Sequence, residues 1–339
     1  MRARKDRQEI KAIARERFRE QRGTAILLLF VYALMSGVSA GIDSITQQVI
    51  GNWAYHIVFW LGAFLLYVML INLNGEYVRV YEGEKGKTGA LFSGFAVNFW
   101  RKLGGYLWMV LLLILWALPG APLVMFGLGM LTEVGHTANV GAILLAVAFL
   151  YGGIILSAVL SGLKMYAYAF APYILALYPK VKAREALRLS IRMTMGYRGD
   201  LLVMDVSFIA WLSLAMAPLT LAIIGLVLVE LATVGLGVFL IVIGGLGAFL
   251  VYTLFVGPYM ALAQAGNFVE LRDRAIREGE ISLEELGLEI GEAQEVTEVV
   301  IQEEVKPEEE PVAVAVAEEN VIKQEVEELD DIEDFDEEE

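Results

Sequence analysis

Long apolar stretches recur six times along the chain, separated by short polar links that differ in charge. A helix rises 1.5 Å per residue, so ~20 apolar residues cross the ~30 Å hydrocarbon layer of a bilayer. Each stretch therefore reads as a membrane-spanning helix. The spans are expected at about residues 24–42, 54–73, 106–131, 139–164, 201–229 and 232–262. Pro119, Gly120 and Pro122 interrupt the third, Pro218 lies within the fifth and Pro258 near the end of the sixth. Proline removes a backbone donor and frees a carbonyl, so each is expected to bend its helix and to need a neighbour for the freed group. In the first span Ala33, Gly37 and Gly41 recur every four residues, a surface on which another helix packs closely. Trp53, Tyr55 and Trp60 read as interfacial aromatics at the start of the second.

Ahead of the first, third and fifth spans the apolar pattern narrows to one face of a helix. Ile10, Ile13, Ala14 and Phe18 form a stripe within residues 1–23, which carry nine Lys and Arg. Phe92, Phe95, Ala96 and Phe99 share a face in residues 91–103, beside Arg101 and Lys102. In residues 183–198, Ala183, Ala186, Leu187, Ser190, Ile191 and Thr194 face one way, and Arg184, Arg188 and Arg192 the other. This pattern predicts interfacial helices, with the apolar side in the acyl boundary and guanidinium groups toward lipid phosphates. At Gly199-Asp200 the chain is expected to turn from lying along the membrane to crossing it. Three copies of a basic helix followed by a transmembrane hairpin would make a six-helix bundle with basic helices beneath it. Residues 165–178 are apolar and aromatic, with Pro172 among them. Counted as a further crossing, they would put the basic residues 179–199 outside, so a kinked extension or re-entrant piece is expected there.

Charge then orients the bundle. Of the Lys and Arg, the N-terminus holds 9, residues 74–103 hold 5, residues 179–199 hold 6, and Arg272, Arg274 and Arg277 follow the last span. Residues 43–53, residues 132–138 and the turn at Glu230 hold none. The positive-inside bias places both termini in the cytoplasm of a protein of the cell membrane. The net charge of −15 conceals two unlike parts: residues 1–277 have 24 Lys and Arg against 15 Asp and Glu, and residues 278–339 have 2 against 26. The expected division is a basic amphipathic N-terminal helix at 1–23, a six-span membrane domain at 24–271, and an acidic, largely disordered cytoplasmic tail at 272–339. Within that tail Ser282 and Glu285, followed by Gly287, have the spacing of a capping box for one short helix. The long basic N-terminus lacks a convincing cleavage pattern and reads as a retained helix rather than a signal peptide. The fold class is thus an all-α integral membrane protein with about six transmembrane helices, basic interfacial helices on the cytoplasmic side and a disordered acidic C-terminal tail.

Candidate chemistry is sparse. Cysteine is absent, which excludes disulfides, thiolate metal sites and cysteine nucleophiles. His56 and His136 lack the convergent neighbours a metal requires. Asp205 is the most informative ionisable group, since charges within spans mark functional positions. It lies five residues into its helix, about 7.5 Å from the boundary, and Lys164 at similar depth is its expected partner. No serine–histidine pair, phosphate loop or paired carboxylate occurs in the membrane body, and Ser190 and Ser207 have no base nearby in sequence. No enzymatic activity, cofactor or metal is expected. The expected partners are anionic lipid headgroups, with Arg184, Arg188 and Arg192 as binding candidates, and a protein partner for the acidic tail; nucleic acid is not one. Two functional classes remain: a non-catalytic scaffold or regulator, and a carrier or channel with Pro119, Pro172 and Pro218 as hinges. The scarcity of intramembrane charge favours the first.

Four segments also carry a resemblance. They are LWMVLLLILWALPGAP, KMYAYAFAPYILALYP, EALRLSIRMTMGYRGDLLVMDVSFIAWLSL and GPYMALAQAGNFVEL. They resemble successive signatures of the family of integral membrane proteins named domain of unknown function 975. The matching residues are Trp108, Pro119, Gly120, Tyr166, Tyr168, Pro172, Tyr173, Ser190, Arg192, Met193, Met195, Gly196, Ser207, Phe208, Ile209, Trp211, Pro258 and Tyr259. The resemblance covers about residues 102–271, and the chain departs from it between Pro119-Gly120 and Lys164 and in its acidic tail. It implies a multi-pass membrane protein without an established activity.

Overall fold

The computed structural model describes residues 7–96, 98–134, 140–228 and 234–288. Among them regular structure is entirely helical: α1 Arg7–Glu20, α2 Arg22–Val49, α3 Asn52–Tyr81, α4 Ala90–Ala96, α5 Phe99–Ala117, α6 Ala121–Val134, α7 Val140–Tyr168, α8 Ala171–Leu177, α9 Ala183–Thr194, α10 Arg198–Val206, α11 Ile209–Leu228, α12 Val234–Val251 and α13 Gly257–Arg277. Six helical runs are long and apolar enough to cross a membrane: Arg22–Val49, Asn52–Tyr81, Phe99–Thr132, Val140–Leu177, Arg198–Gly225 and Phe239–Arg277. The six expected spans are all present.

Each run outlasts a bilayer. Their 28 to 39 residues amount to roughly 42–58 Å of helix against ~30 Å of hydrocarbon. The excess is gathered at one end, where α2, α5 and α10 begin and α3, α8 and α13 finish. There Leu28, Ile71, Tyr77, Ile174, Leu189, Met204, Phe268 and Leu271 form a single buried core. Tyr173 stacks on Phe268 at 5.1 Å between ring centroids. The middles of the spans instead leave large apolar side chains outside, among them Leu34, Leu61, Leu111, Leu144, Leu221 and Ile243. Contiguous apolar exposure on that scale is what a lipid solvent accommodates and water does not.

The helices run further into this core than the apolar pattern predicts. Residues 74–81, expected in a polar loop, continue α3, because Gly75, Glu76, Tyr77, Val78, Val80 and Tyr81 are buried against neighbouring elements. The sixth span, expected to end near 262, continues as α13 to Arg277, so the expected tail boundary at 272 falls inside a helix. Beyond it Ile281 and Leu286 are buried in the core, each 1% exposed. The capping-box spacing is realised as a single turn: Ser282 N donates to Glu285 Oε2 (3.0 Å) and Glu285 N to Ser282 Oγ (3.2 Å). Gly287 ends the turn with φ +74°, the left-handed region that glycine enters most cheaply. The expectation of disorder for residues 289–339 lies outside the described residues.

Two of the three amphipathic helices differ from expectation in what their apolar faces meet, whereas Phe92 and Phe95 of α4 stay exposed. Ile10 and Ala14 of α1 and Ala186, Leu187, Leu189, Ser190, Met193 and Thr194 of α9 are buried against protein, not left open for an acyl boundary. The long spans explain this, since their protruding ends offer these helices an apolar surface first. Arg184 and Arg188 remain exposed on the opposite side of α9.

Three breaks in the spans lie at prolines, while Pro218, expected to bend its span, sits inside the continuous helix α11. At Pro119 a 3₁₀ turn, Leu118–Gly120, separates α5 from α6. Ser157 Oγ donates to the Ala117 carbonyl at 2.8 Å there. Gly120 lies so close to α7 that a Cβ on it would sit 2.2 Å from the Gly153 carbonyl. Pro172 opens α8 after α7 ends at Tyr168. With seven residues, about 10 Å of helix, α8 is a kinked extension buried in the core. From α9, Ser190 Oγ donates to the Ala167 carbonyl (2.9 Å) and accepts from the Phe170 amide (3.1 Å), joining both sides of that break. Pro258 begins α13 behind a π turn, Tyr252–Val256. The turn between α9 and α10 falls at Gly196, with φ +85°, rather than at Gly199-Asp200, which are already inside α10 or its first turn.

Candidate functional site

Asp205 lies on α10, two residues before that helix breaks at Ser207. It is half-buried and accepts two hydrogen bonds, from Tyr166 Oη on α7 (3.0 Å to Oδ2) and from Gln264 Nε2 on α13 (3.2 Å to Oδ1). Lys11 of α1 covers the same corner, donating to Ser207 Oγ while its ammonium stands 4.6 Å from the Phe208 ring centroid. Burial lowers the Lys11 pKa, and Arg7 lowers it further. Tyr166 and Asp205 stand near the ends of α7 and α10, while Gln264 and Lys11 reach in from within α13 and α1. The arrangement anchors a carboxylate between helices, and among the described residues no ion pair to it is formed.

Lys164, expected beside Asp205, is elsewhere. Its ammonium lies 4.1 Å from the centroid of Trp116 on α5, on the side of α7 that faces away from the aspartate's partners. The expected pair is replaced by a hydrogen-bonded carboxylate and a separate cation–π contact. The three α9 arginines also part company. Arg184 lies over the Trp108 ring at 4.2 Å, and Arg188 is exposed. Arg192 holds Glu285 with both guanidinium nitrogens, at 2.7 and 3.1 Å. That bond, with the Ser282 amide, keeps the Glu285 carboxyl below its ordinary value. Ser190, weighed as a nucleophile by residue type, is 0% exposed and is fully used by the α7–α8 break.

Several residues that the sequence marks at most by their charge prove central. Arg101 donates to the carbonyls of Leu175 (2.6 Å), Tyr178 (3.1 Å) and Val181 (2.6 Å), so its charge caps the C-terminal end of α8. Lys102 reaches Asn72 Oδ1, and Asn72 in turn donates to the Leu91 carbonyl at 2.8 Å, tying α5, α3 and α4 together. On α13, Arg272 bridges Glu82 (2.9 Å) and Asp273 (2.7 Å). Arg274 bridges Glu278 (2.9 Å) and Glu280 (2.8 Å). Burial raises the Tyr178 phenol above its usual value, with Arg272 alongside opposing the rise. The one legible sign was residue type: a charged residue within a few positions of an apolar span needs a partner, though sequence alone does not say which. Among the described residues no group of three or more His, Asp and Glu could hold a metal ion.

No curated protein matches the chain, and no solved structure matches it either. A family model does. It aligns with residues 1–275, which take in every element from α1 to all but the last two residues of α13. The chain belongs to the family described as Protein of unknown function (DUF975).

Proposed function

We propose that this is an integral protein of the cell membrane with both termini in the cytoplasm, acting as a non-catalytic scaffold or regulator. Its basic face meets anionic lipid and its acidic tail meets a protein partner. One observation supports this reading above the others: among the described residues, the charged ones that are buried, Glu76, Lys102, Glu270, Asp273 and Arg274, all belong to the core end. Apart from Lys164 and Asp205, which lie within two turns of the core-end termini of α7 and α10, the spans over residues 24–42, 54–73, 104–132, 140–164, 201–228 and 234–257 contain no Asp, Glu, Lys or Arg. Pathways for ions and polar solutes are built from such groups at membrane depth. Photocrosslinking in native membranes tests the reading. Recovery of anionic phospholipid on peptides from residues 180–198 is the expected result. Saturable solute flux in proteoliposomes, lost on replacing Asp205 with Asn, would establish the carrier reading instead.

A further inference from the structure

Of the three amphipathic helices, only α4 leaves its large apolar side chains exposed. Its other side is fixed. Leu91 and Gly94 are buried, the Leu91 carbonyl accepts from Asn72 Nδ2 of α3 at 2.8 Å, and a Cβ on Gly94 would collide with the same amide. The Lys102 ammonium reaches Asn72 Oδ1 from the first turn of α5. One residue of α3 thus holds both α4 and the start of α5. Away from it the rings of Phe92, Phe95, Phe99 and Trp100 follow one another at 6.4, 6.4 and 5.4 Å between centroids. The last ring is 80% exposed. Leu107, Leu111 and Ile114 share the face of α5 that Trp100 opens, and they are exposed too. The chain of rings therefore runs on into the apolar flank of a span.

Its level follows from α3, which is unbroken from Asn52 to Tyr81. Trp53, at the end remote from the core, is exposed. From there to Asn72 is about 28 Å of helix, close to the ~30 Å thickness of the hydrocarbon layer. With Trp53 at one boundary, α4 stands at the other. The segment Ala90–Ala96 carries no charge, and its Ser93 Oγ donates to the Ala90 carbonyl at 2.7 Å. Burial in lipid thus strands neither a charge nor that hydroxyl proton.

We infer that α4 and the first turn of α5 are an interfacial anchor, with Phe92, Phe95 and Trp100 set into the acyl boundary of the bilayer. The Trp100 indole suits that depth, having an apolar body and one N–H donor. Because α4 is uncharged, this contact takes lipid of any headgroup. The inference rests on the reading of an integral membrane protein, and adds to its anionic-lipid contact a second one of different chemistry.

Nitroxide labels on Phe92→Cys and Phe95→Cys of the full chain, reconstituted in phosphatidylcholine vesicles, test it, with Lys85→Cys as the exposed polar reference. Collision rates with oxygen, which concentrates in hydrocarbon, and with a water-soluble nickel chelate give the depth of each label. Phe92 and Phe95 positions should favour oxygen, at about 5–10 Å into the headgroup and acyl boundary, and Lys85 should favour nickel. Mixing in phosphatidylglycerol should leave those depths unchanged. Preference for nickel at all three positions would mean that water covers the face. Weak collision with both reagents would mean that protein covers it, a second copy included. Either result overturns the anchor, and a depth reached only with phosphatidylglycerol overturns its indifference to headgroup. If the cysteine variants do not fold, the emission lost in W100F decides. That emission should be quenched by phosphatidylcholine brominated near the headgroup and spared by acrylamide; the reverse overturns the anchor. Failure here alongside recovery of anionic lipid on residues 180–198 would leave the basic-face reading standing, and anchored rings without that recovery would remove the basic-face reading alone.

Discussion

Asp205 and Lys164 show how a residue's surroundings decide what its charge does. A carboxylate that accepts hydrogen bonds from Tyr166 and Gln264 has its lone pairs used by neutral donors, while the lysine's charge rests on Trp116. Replacing Asp205 with Asn and Lys164 with Gln should therefore give losses of thermal stability that add, within ~0.5 kcal/mol. D205N and Y166F share one hydrogen bond and should not add. Measured coupling between Asp205 and Lys164 would restore the ion pair that their similar depth suggests. Ser190 is a second case at this scale. S190A leaves the Phe170 amide buried without its partner and the Ala167 carbonyl with only the longer Thr194 hydroxyl contact at 3.4 Å, which costs about 1–3 kcal/mol. Unfolding in detergent should register that loss without any change at the surface. A third concerns Glu285, whose folded value is depressed by Arg192. A group of this kind contributes stability above its unfolded value, near pH 4.3, and loses it as pH falls through the lower folded value. The Tm difference between wild type and E285Q should thus be small, since the pair is half-exposed, and should vanish in acid.

At the scale of elements, the readable features were those set by period and length. Six spans were legible because a run of ~20 apolar residues has few other uses. Their true ends were not, because Gly75–Tyr81 and Leu262–Arg277 mix polar and apolar residues in a pattern that only a packed neighbour resolves. The faces of α1 and α9 were legible as faces, yet periodicity cannot say whether lipid or protein covers them. Residues carrying the family resemblance cluster where helices break: Pro119-Gly120, Pro172, Ser190, Gly196, Ser207 and Pro258 all lie at or stitch an interruption. Glycines divide in the same way. Gly37 and Gly41, whose spacing suggests a helix seam, have nothing within 4 Å of an added Cβ, whereas at Gly120 and Gly153 that atom would meet backbone at 2.2 and 2.7 Å. G120A and G153A should each lower stability by about 1–3 kcal/mol through forced separation of α6 from α7. G37A should be neutral or slightly stabilising, as alanine is the better helix former.

At the scale of the whole molecule, the asymmetry of charge and the asymmetry of packing coincide. The links rich in Lys and Arg are the ones that build the core end, while residues 43–53, without a basic group, lie at the other. Single cysteines introduced at exposed positions into this cysteine-free chain read the sidedness directly. In intact cells an impermeant thiol reagent should label Gln48→Cys and spare Lys85→Cys, and the reverse would invert the topology. The acidic C-terminal segment is where these two asymmetries can be separated. Residues 278–288 carry Ile281 and Leu286 into the core and hold Arg192 through Glu285, whereas residues 289–339 add 22 acidic groups and two lysines. Each fully buried aliphatic side chain contributes about 1.5–3 kcal/mol, and the exposed ion pair about 0–1 kcal/mol. Truncation before Glu289 should therefore leave Tm in detergent unchanged within error, while truncation before Glu278 should lower it by several degrees and free Arg192. Crosslinking of residues 180–198 to anionic lipid should rise in the longer truncation at all salt concentrations. In the shorter one any rise should appear only at low salt, because the Debye length shrinks from about 30 Å at 0.01 M to about 8 Å at physiological ionic strength. Equal Tm values for the two truncations would mean that the docked turn does not stabilise the fold.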